Sequence, residues 1–457
     1  MKHSKLVRLI VAASTLSMAI VAVAGVQMAS ASSKTIVTVA YTSDNFFDTT
    51  TLGTKWWNTI QTEFNKDYPK YQLQLQPIGG GEDSLLDKLS LDYRTPSTAP
   101  DVAQFPSSEV GEYASSGYLL PIGKYLDTTS WFSTFPKAIQ NEGNVGGKIY
   151  SVSSGETDSI LYYNEAMFKK AGIAVPWQPK TWQDILTAAK AVKKVYPKVS
   201  ALWLEAGTGA GSDGLLQGIN NLIVASSTPT IQTSSGKMVV SSPGILEALN
   251  FYHTAYSDGL GAPESQLFST DGVDVPTVTF HNDTLAMALG GNFFGGNWSK
   301  TVSAPYWPNV SGVIGLAYLP NYSGVGTSGG QAGGWGYSIS SATKDPQGAF
   351  DFIKLAEDTT NLIDTDNWAG VVPPAKVDWT VPAYVNFSNP YDTDTANVLE
   401  KSVEVPSSAN YAVWAQGMME ATGAIVQHPS TTGQQAMTIL KNYVTNQLGP
   451  SEVTTLK

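Results

Sequence analysis

The chain has 457 residues, 27 Lys and Arg against 38 Asp and Glu for a formal net charge of −11, and no cysteine. A net negative surface repels nucleic acid and anionic lipid, and the lack of cysteine excludes disulfides, zinc-thiolate sites, thiol nucleophiles and a lipid-modified cysteine anchor. The length predicts two or more lobes of ~100–200 residues each, with ample core.

At the N-terminus Lys2, Lys5 and Arg8 precede an uncharged run to Ser33 that contains Ala29-Ser30-Ala31. This is the pattern of a secretory signal peptide over 1–31, cleaved near Ala31, and it predicts a periplasmic, extracellular or cell-surface protein. The competing reading is a retained anchor, because the apolar stretch over 9–26 approaches the ~17-residue lower limit for a spanning helix. Cleavage removes the three cations, taking the net charge from −11 to −14, and leaves Arg94 as the single arginine. A phosphorylated or multiply carboxylated ligand would then lack its usual bidentate partner.

In chain order, Thr35-Ile-Val-Thr-Val-Ala-Tyr41 reads as a buried strand and 42–54 as a polar loop. Trp56, Ile60 and Phe64 recur at helical spacing and 71–78 forms a second strand, so the chain opens strand, helix, strand, as an α/β lobe does. The Gly79-Gly80-Gly81 turn leads to a helix around 85–93, and Pro100-Asp101 to a short strand over 102–105. Further on, 159–163 and 201–204 are expected strands, while 165–171, 181–194 and 215–224 are expected helices. Thr181 and Asp184 have capping-box spacing at the start of the second of these helices. Residues 280–289, 314–319 and 335–340 add apolar elements, and 411–448 reads as two helices around His428-Pro429.

Several familiar motifs fail on context. Gly209-Ala-Gly-Ser-Asp-Gly214 has GxGxxG spacing, but no acidic residue ends a strand ~20 residues on, as dinucleotide binding requires. A glycine-rich helix start lining a polar pocket fits it better. Gly326-Thr-Ser-Gly-Gly330 has GxSxG spacing without the strand-to-helix elbow that exposes a nucleophile. His253, His281 and His428 have no metal-ligating spacing, and Tyr162 and Tyr163 alternate to opposite faces of a strand instead of converging on iron. No metal and no cofactor are expected. Glu156, Asp158 and Glu205 stand at expected strand ends, as ordinary loop carboxylates, as hydrogen-bond acceptors for a ligand, or as the acid and base of a glycosidase.

A set of longer segments runs in a definite order. Trp57-Asn-Thr-Ile-Gln-Thr-Glu-Phe-Asn-Lys-Asp-Tyr-Pro69, Pro100-Asp101-Val102 and Tyr113-Ala-Ser-Ser-Gly-Tyr-Leu-Leu-Pro121 come first. Gly147-Lys-Ile-Tyr150, Ile160-Leu-Tyr-Tyr-Asn164, Phe168-Lys-Lys-Ala-Gly172 and Pro179-Lys-Thr-Trp182 follow. F-H-N-D-T-L-A-M over 280–287, Gly333-Gly-Trp-Gly-Tyr337 and Gly370-Val-Val-Pro-Pro374 complete the set. Over 35–425 the chain thus resembles the extracellular solute-binding proteins of ABC sugar importers, the family that includes maltose-binding protein.

The resemblance implies an α/β, two-lobed periplasmic-binding-protein fold of type II, its ligand cleft lying between lobes joined by crossover hinge segments. It places lobe one over 32–152 and 310–362, and lobe two over 153–309 and 363–457. It implies a monomer that binds a neutral sugar, in particular an oligosaccharide, without a catalytic step and delivers it to membrane permease subunits. The implied ligand contacts are Asp44 and Asn45 after the first strand, Phe105 and Ser108 after Pro-Asp-Val, and Glu156 and Asp158 before Tyr-Tyr-Asn. Glu205 after Trp203, Phe293 or Trp298 after the Ala-Met strand, Trp335, and Trp414 on a late helix complete them. Aromatic faces stack on a pyranose while carboxylates and amides meet its hydroxyls. Phe105 and Ser108 depart from the maltose-binding pattern, which speaks against maltose itself. Two rival readings remain from the residues: a binder of polyamines, peptides or other cations, suited to the acidic balance, and a secreted glycoside hydrolase.

Overall fold

The computed structural model describes residues 34–43, 51–269, 275–299, 306–386 and 389–457. The expected signal peptide, Asp44 and Asn45 lie outside the described residues. The strands that position the site are β1 (Thr35–Thr42), β2 (Tyr71–Ile78), β3 (Val102–Pro106), β4 (Ser151–Thr157), β5 (Ser159–Asn164), β6 (Met287–Gly291), β7 (Ile314–Ala317), β8 (Gln331–Ile339) and β9 (Val403–Glu404).

Lobe one is built on a mixed sheet of order β9-β8-β3-β1-β2, with β4 also paired to β8. β1 runs parallel to β2 and β3, while β8 runs antiparallel to β3 and β4. Because helices cover both faces, β1 is a nearly unbroken β-branched run. One face carries Val37, Val39, Tyr337 and Ile339 against Trp56, Trp57, Ile60 and Phe64 of the Thr51–Asp67 helix. The other carries Ala40, Ala103, Phe105 and Trp335 against Leu85 and Leu89 of the Gly81–Asp92 helix.

Lobe two centres on the antiparallel sheet β7-β5-β6 and a helical layer formed by Trp182–Val195, Pro243–Ser257, Tyr411–Gln427 and Gly433–Leu448. Thr181 and Asp184 form the reciprocal capping box their spacing predicts. Residues 201–204, expected as a strand, make isolated bridges only, Leu202 to Gly261 and Trp203 to Ala288. The helix expected over 215–224 is two helices, Gly211–Leu216 and Ile219–Ala225. Gly218 interrupts them at φ −134°, ψ −108°. The space its Cβ would fill belongs to the Tyr252 hydroxyl, 2.6 Å away, which donates to the Glu205 carbonyl at 2.7 Å.

Two of the expected lobe boundaries differ from what is observed. Strand β7, assigned to lobe one with 310–362, pairs with β5, and Ile314, Ala317 and Leu319 pack in the core of lobe two. Conversely Ala369, Val371, Val372, Ala375, Ala396 and Leu399, assigned to lobe two, pack in the cores of lobe one. The cause in both cases is long-range: β7 satisfies the open edge of β5, some 150 residues earlier in the chain, and Val372 bridges to Glu156 of β4. The chain therefore crosses between lobes at β4 to β5, again between β7 and β8, and a third time after Leu399. Beside these crossings the lobes touch backbone to backbone, a Cβ on Gly296 falling 2.3 Å from the Gly370 Cα.

The Gly218 break predicts that Gly218→Ala collides with Tyr252 and costs about 1–3 kcal/mol of unligated stability, the usual range for overpacking. Urea denaturation with an unchanged midpoint would show that the helix break has another cause.

Candidate functional site

In an open α/β sheet, ligands gather outside the carboxyl ends of the strands where strand order reverses. In lobe one that point is the end of β1 at Thr42 and of β3 at Pro106, because β2 and β3 flank β1 on opposite sides. The start of antiparallel β8 arrives at the same place, with Trp335 opposite Pro106 and Gly333 and Gly334 opposite Thr157 and Glu156 of β4. The Ser107 N–H donates to the Gly334 carbonyl at 2.9 Å, and the Thr157 hydroxyl donates to the Gly333 carbonyl. Lobe two closes the floor from its own side. The Asn292 N–H donates to the Asp158 carbonyl at 3.1 Å, its Nδ2 donates to the Glu156 carbonyl at 3.0 Å, and the Ser159 hydroxyl donates to the Leu216 carbonyl at 3.1 Å.

The carboxyl groups at this floor are fully enclosed. Glu156 and Asp158 are 0% and 1% exposed. Burial pushes the Glu156 carboxyl up to about 7 against the pull of hydrogen bonds from Ser153 and Glu142. Burial, and then the charge of Glu156, holds Asp158 well above the usual carboxylate range. A neutral carboxyl both donates and accepts, as a sugar hydroxyl does. Glu156 Oε2, both Asp158 carboxyl oxygens and Asn292 Oδ1 have no hydrogen-bond partner within the protein, and Ser107, Ser108 and Thr157 stand beside them with no cationic group among these named residues.

The aromatic candidates are placed differently from the ligand-facing roles expected of them. Phe105 packs edge-on against Tyr113 at 4.7 Å inside lobe one. Trp298 and Trp414 are buried in lobe two, their Nε1–H groups donating to the Thr277 and Val239 carbonyls at 3.1 and 2.8 Å. Phe293 is buried just after β6, beside the crossing. Trp335, 4% exposed, joins the Phe105 and Tyr113 layer because a register shift between Gly334 and Gly336 turns its ring to the face opposite Tyr337. Glu205 lies deeper in lobe two, where its Oε1 accepts from Trp203 Nε1 at 2.7 Å. Ser108 is buried and its hydroxyl reaches Glu109 at 3.4 Å. Of the described candidates, the floor thus brings together Glu156, Asp158, Ser108 and Phe293, with Trp335 beneath.

Sequence reasoning missed Glu142, Asn292 and the amide network of Asn220, Asn221 and Gln331. Asn220 Nδ2 donates to Gln331 Oε1 at 2.7 Å and to the Tyr411 hydroxyl at 2.9 Å, while Asn221 Oδ1 accepts from the Gln331 N–H at 2.9 Å. The usable signal was polar residues inside otherwise apolar helical runs, as in Ile219-Asn-Asn-Leu222.

Residues 48–361 match the family of bacterial extracellular solute-binding proteins. The chain belongs to that family. A probable ABC transporter-binding protein of Deinococcus radiodurans is 26% identical over 243 residues, 52% of this chain and 54% of that protein. An sn-glycerol-3-phosphate-binding periplasmic protein of Brucella abortus is 24% identical over 140 residues, 30% of this chain and 32% of that protein. The alignments thus span about half or less of the length of these curated relatives. Among solved structures, maltose-bound MalE3 of T. maritima superposes with a TM-score of 0.73 at 19% identity, covering 90% of this chain and 100% of that one. A mannitol-bound solute-binding protein of Agrobacterium vitis superposes with a TM-score of 0.67 at 19% identity, covering 90% and 98%. These likenesses establish the two-lobed MalE-type fold.

The placement of Trp335 predicts that Trp335→Ala costs about 3–5 kcal/mol of unligated stability, as a core tryptophan does. Chemical denaturation without ligand checks this, and a variant as stable as wild type would return the ring to the cleft surface.

Proposed function

We propose that this protein is the substrate-binding component of an ABC importer, that it takes up a neutral sugar or sugar alcohol, and that it delivers the solute to membrane permease subunits without a catalytic step. The observation that carries the reading is the cleft floor. Its hydroxyls, amide and carboxyls, which burial shifts toward the neutral form, suit a ligand made of hydroxyl groups, while Arg94, the arginine a phosphate would seek, is exposed on lobe one. The solved relatives with bound maltose and mannitol support the same class.

The leader over 1–31 would be removed on export and the mature chain would act as a monomer outside the cytoplasmic membrane. Among the described residues no helix is long and apolar enough to cross a membrane. The density of acids at the floor favours one second reading, a polyamine ligand.

A thermal-shift screen of the exported chain, its intact mass expected to begin at Ser32, tests these readings against maltose, maltotriose, mannitol, ribitol, glycerol 3-phosphate and spermidine. A ligand at ~100 times its Kd adds about 2.7 kcal/mol, so a neutral sugar or polyol should raise the melting temperature by several degrees. A shift with spermidine alone would install the polyamine reading, and a shift with glycerol 3-phosphate alone would contradict the neutral-ligand one.

A further inference from the structure

β7 (Ile314–Ala317) is an edge of the lobe-two sheet, with β5 on one side and no described strand on the other. Edge strands present unpaired N–H and C=O groups, which proteins generally cover or blunt. The direction of each group follows from the ladder. The Glu165 N–H donates to the Val313 carbonyl at 2.9 Å, while the Asn164 N–H donates the other way, to the Ala286 carbonyl before β6, at 2.8 Å. Opposed residues of an antiparallel pair alternate between bonded and unbonded. Val313, Gly315 and Ala317 therefore bond toward β5, and Ile314, Leu316 and Tyr318 direct their backbone groups outward.

Two side chains agree with this direction and close the edge at both ends. The Tyr391 hydroxyl donates to the Ile314 carbonyl at 3.0 Å. The Gln178 carboxamide mates with Tyr318 as a strand residue would: its Oε1 accepts from the Tyr318 N–H at 2.9 Å and its Nε2 donates to the Tyr318 carbonyl at 2.8 Å. Leu316 lies between these caps. Among the described residues no side chain or loop bonds its N–H or carbonyl, and a cavity of ≈ 300 Å³ opens along it. Tyr163, Tyr318, Tyr391, Pro176 and Pro390 give it apolar walls. Its charged lining is Glu165, paired with Lys169 at 2.8 Å, and exposed Asp394, which is in no ion pair among the described residues. Lys401, whose Nζ stands 6.0 Å from the Tyr318 ring centroid, does not pair with Asp394.

We propose that the Leu316 edge is a docking site for an extended peptide segment of a partner protein, which adds one rung to the sheet and sets a Lys or Arg side chain against Asp394. The Gln178 carboxamide supplies the reason for a peptide. An amide already satisfies the same edge two residues on, with the donor and acceptor that a peptide backbone carries. The caps stand ~13 Å apart along the strand, so the paired stretch is about three residues long. Asp394 gives the segment its charge preference, since the lining offers it an acid and neither lysine nor arginine.

The test uses the mature, ligand-free protein and the tripeptide acetyl-Val-Lys-Val-amide, followed by amide NMR, and does not depend on which solute the cleft takes. The Leu316 N–H should shift and exchange more slowly with solvent as the peptide is added. The fully N-methylated tripeptide keeps the side chains and loses the donors, so it should bind roughly tenfold more weakly, as the loss of a hydrogen bond or two implies. The tripeptide with Glu in place of Lys should also bind more weakly. Leu316→Pro removes the outward N–H at an edge position where proline is tolerated, and should lose the peptide while keeping the fold. Gln178→Ala uncovers the next rung and should tighten binding. Equal affinity for the methylated peptide, or shifts confined to the cleft with Leu316 unmoved, overturns the proposal. A concentration-dependent dimer that covers Leu316 without peptide overturns it too, assigning the edge to a second copy of this chain. Should Leu316→Pro not fold, the methylated peptide and Gln178→Ala decide the matter.

Discussion

Three chain crossings share a strip of backbone between two apolar cores, and every polar group caught in that strip has to find a partner other than bulk water. The cost of leaving a buried donor or acceptor unpaired is about 1–3 kcal/mol each, and the strip pairs most of its polar groups while Glu156 Oε2, both Asp158 carboxyl oxygens and Asn292 Oδ1 have no hydrogen-bond partner within the protein. Asn292 answers two carbonyls at once, at Glu156 and Asp158. Thr157 and Ser107 secure the start of β8, and the Asn220, Asn221 and Gln331 amides secure its approach. Each lobe keeps its own core, so relative motion of the lobes disturbs this strip and little else.

The parts of this arrangement that follow from local rules were legible in the chain. β1 shows as an apolar run and β2 as an alternation of apolar residues with glutamine, the Thr181 and Asp184 box shows as a spacing, and the His428-Pro429 break separates the two last helices where they are found. The parts set by long-range pairing were not. Nothing near Ile314–Ala317 says that it will complete the edge of β5, and nothing near Gly333-Gly-Trp-Gly says that a register shift will turn Trp335 into the lobe-one core. Tryptophans chosen for stacking ended in cores because a ring buries more apolar area than any other side chain, and its single N–H is satisfied by one carbonyl. Glu142 looks like a solvated charge at a helix end, and only the meeting of β4, β8 and β9 around it shows otherwise.

The carboxyls and the fold belong to one account. A floor lined with ionised acids would favour a cation and resist burial, whereas enclosure shifts Glu156 and Asp158 toward the neutral form and lowers the electrostatic cost of covering them with the second lobe. The backbone contact between Gly296 and Gly370 is the kind of approach such covering permits. Closure around a bound solute is then the event that the floor, the crossings and the two separate cores are arranged to allow.

Small-angle X-ray scattering of the mature protein, with and without the sugar or polyol that gives the largest thermal shift, measures that event directly. The account predicts a smaller radius of gyration at saturating solute, as the lobes close over the cleft. An unchanged radius at saturation would contradict it, leaving a solute that binds without drawing the lobes together.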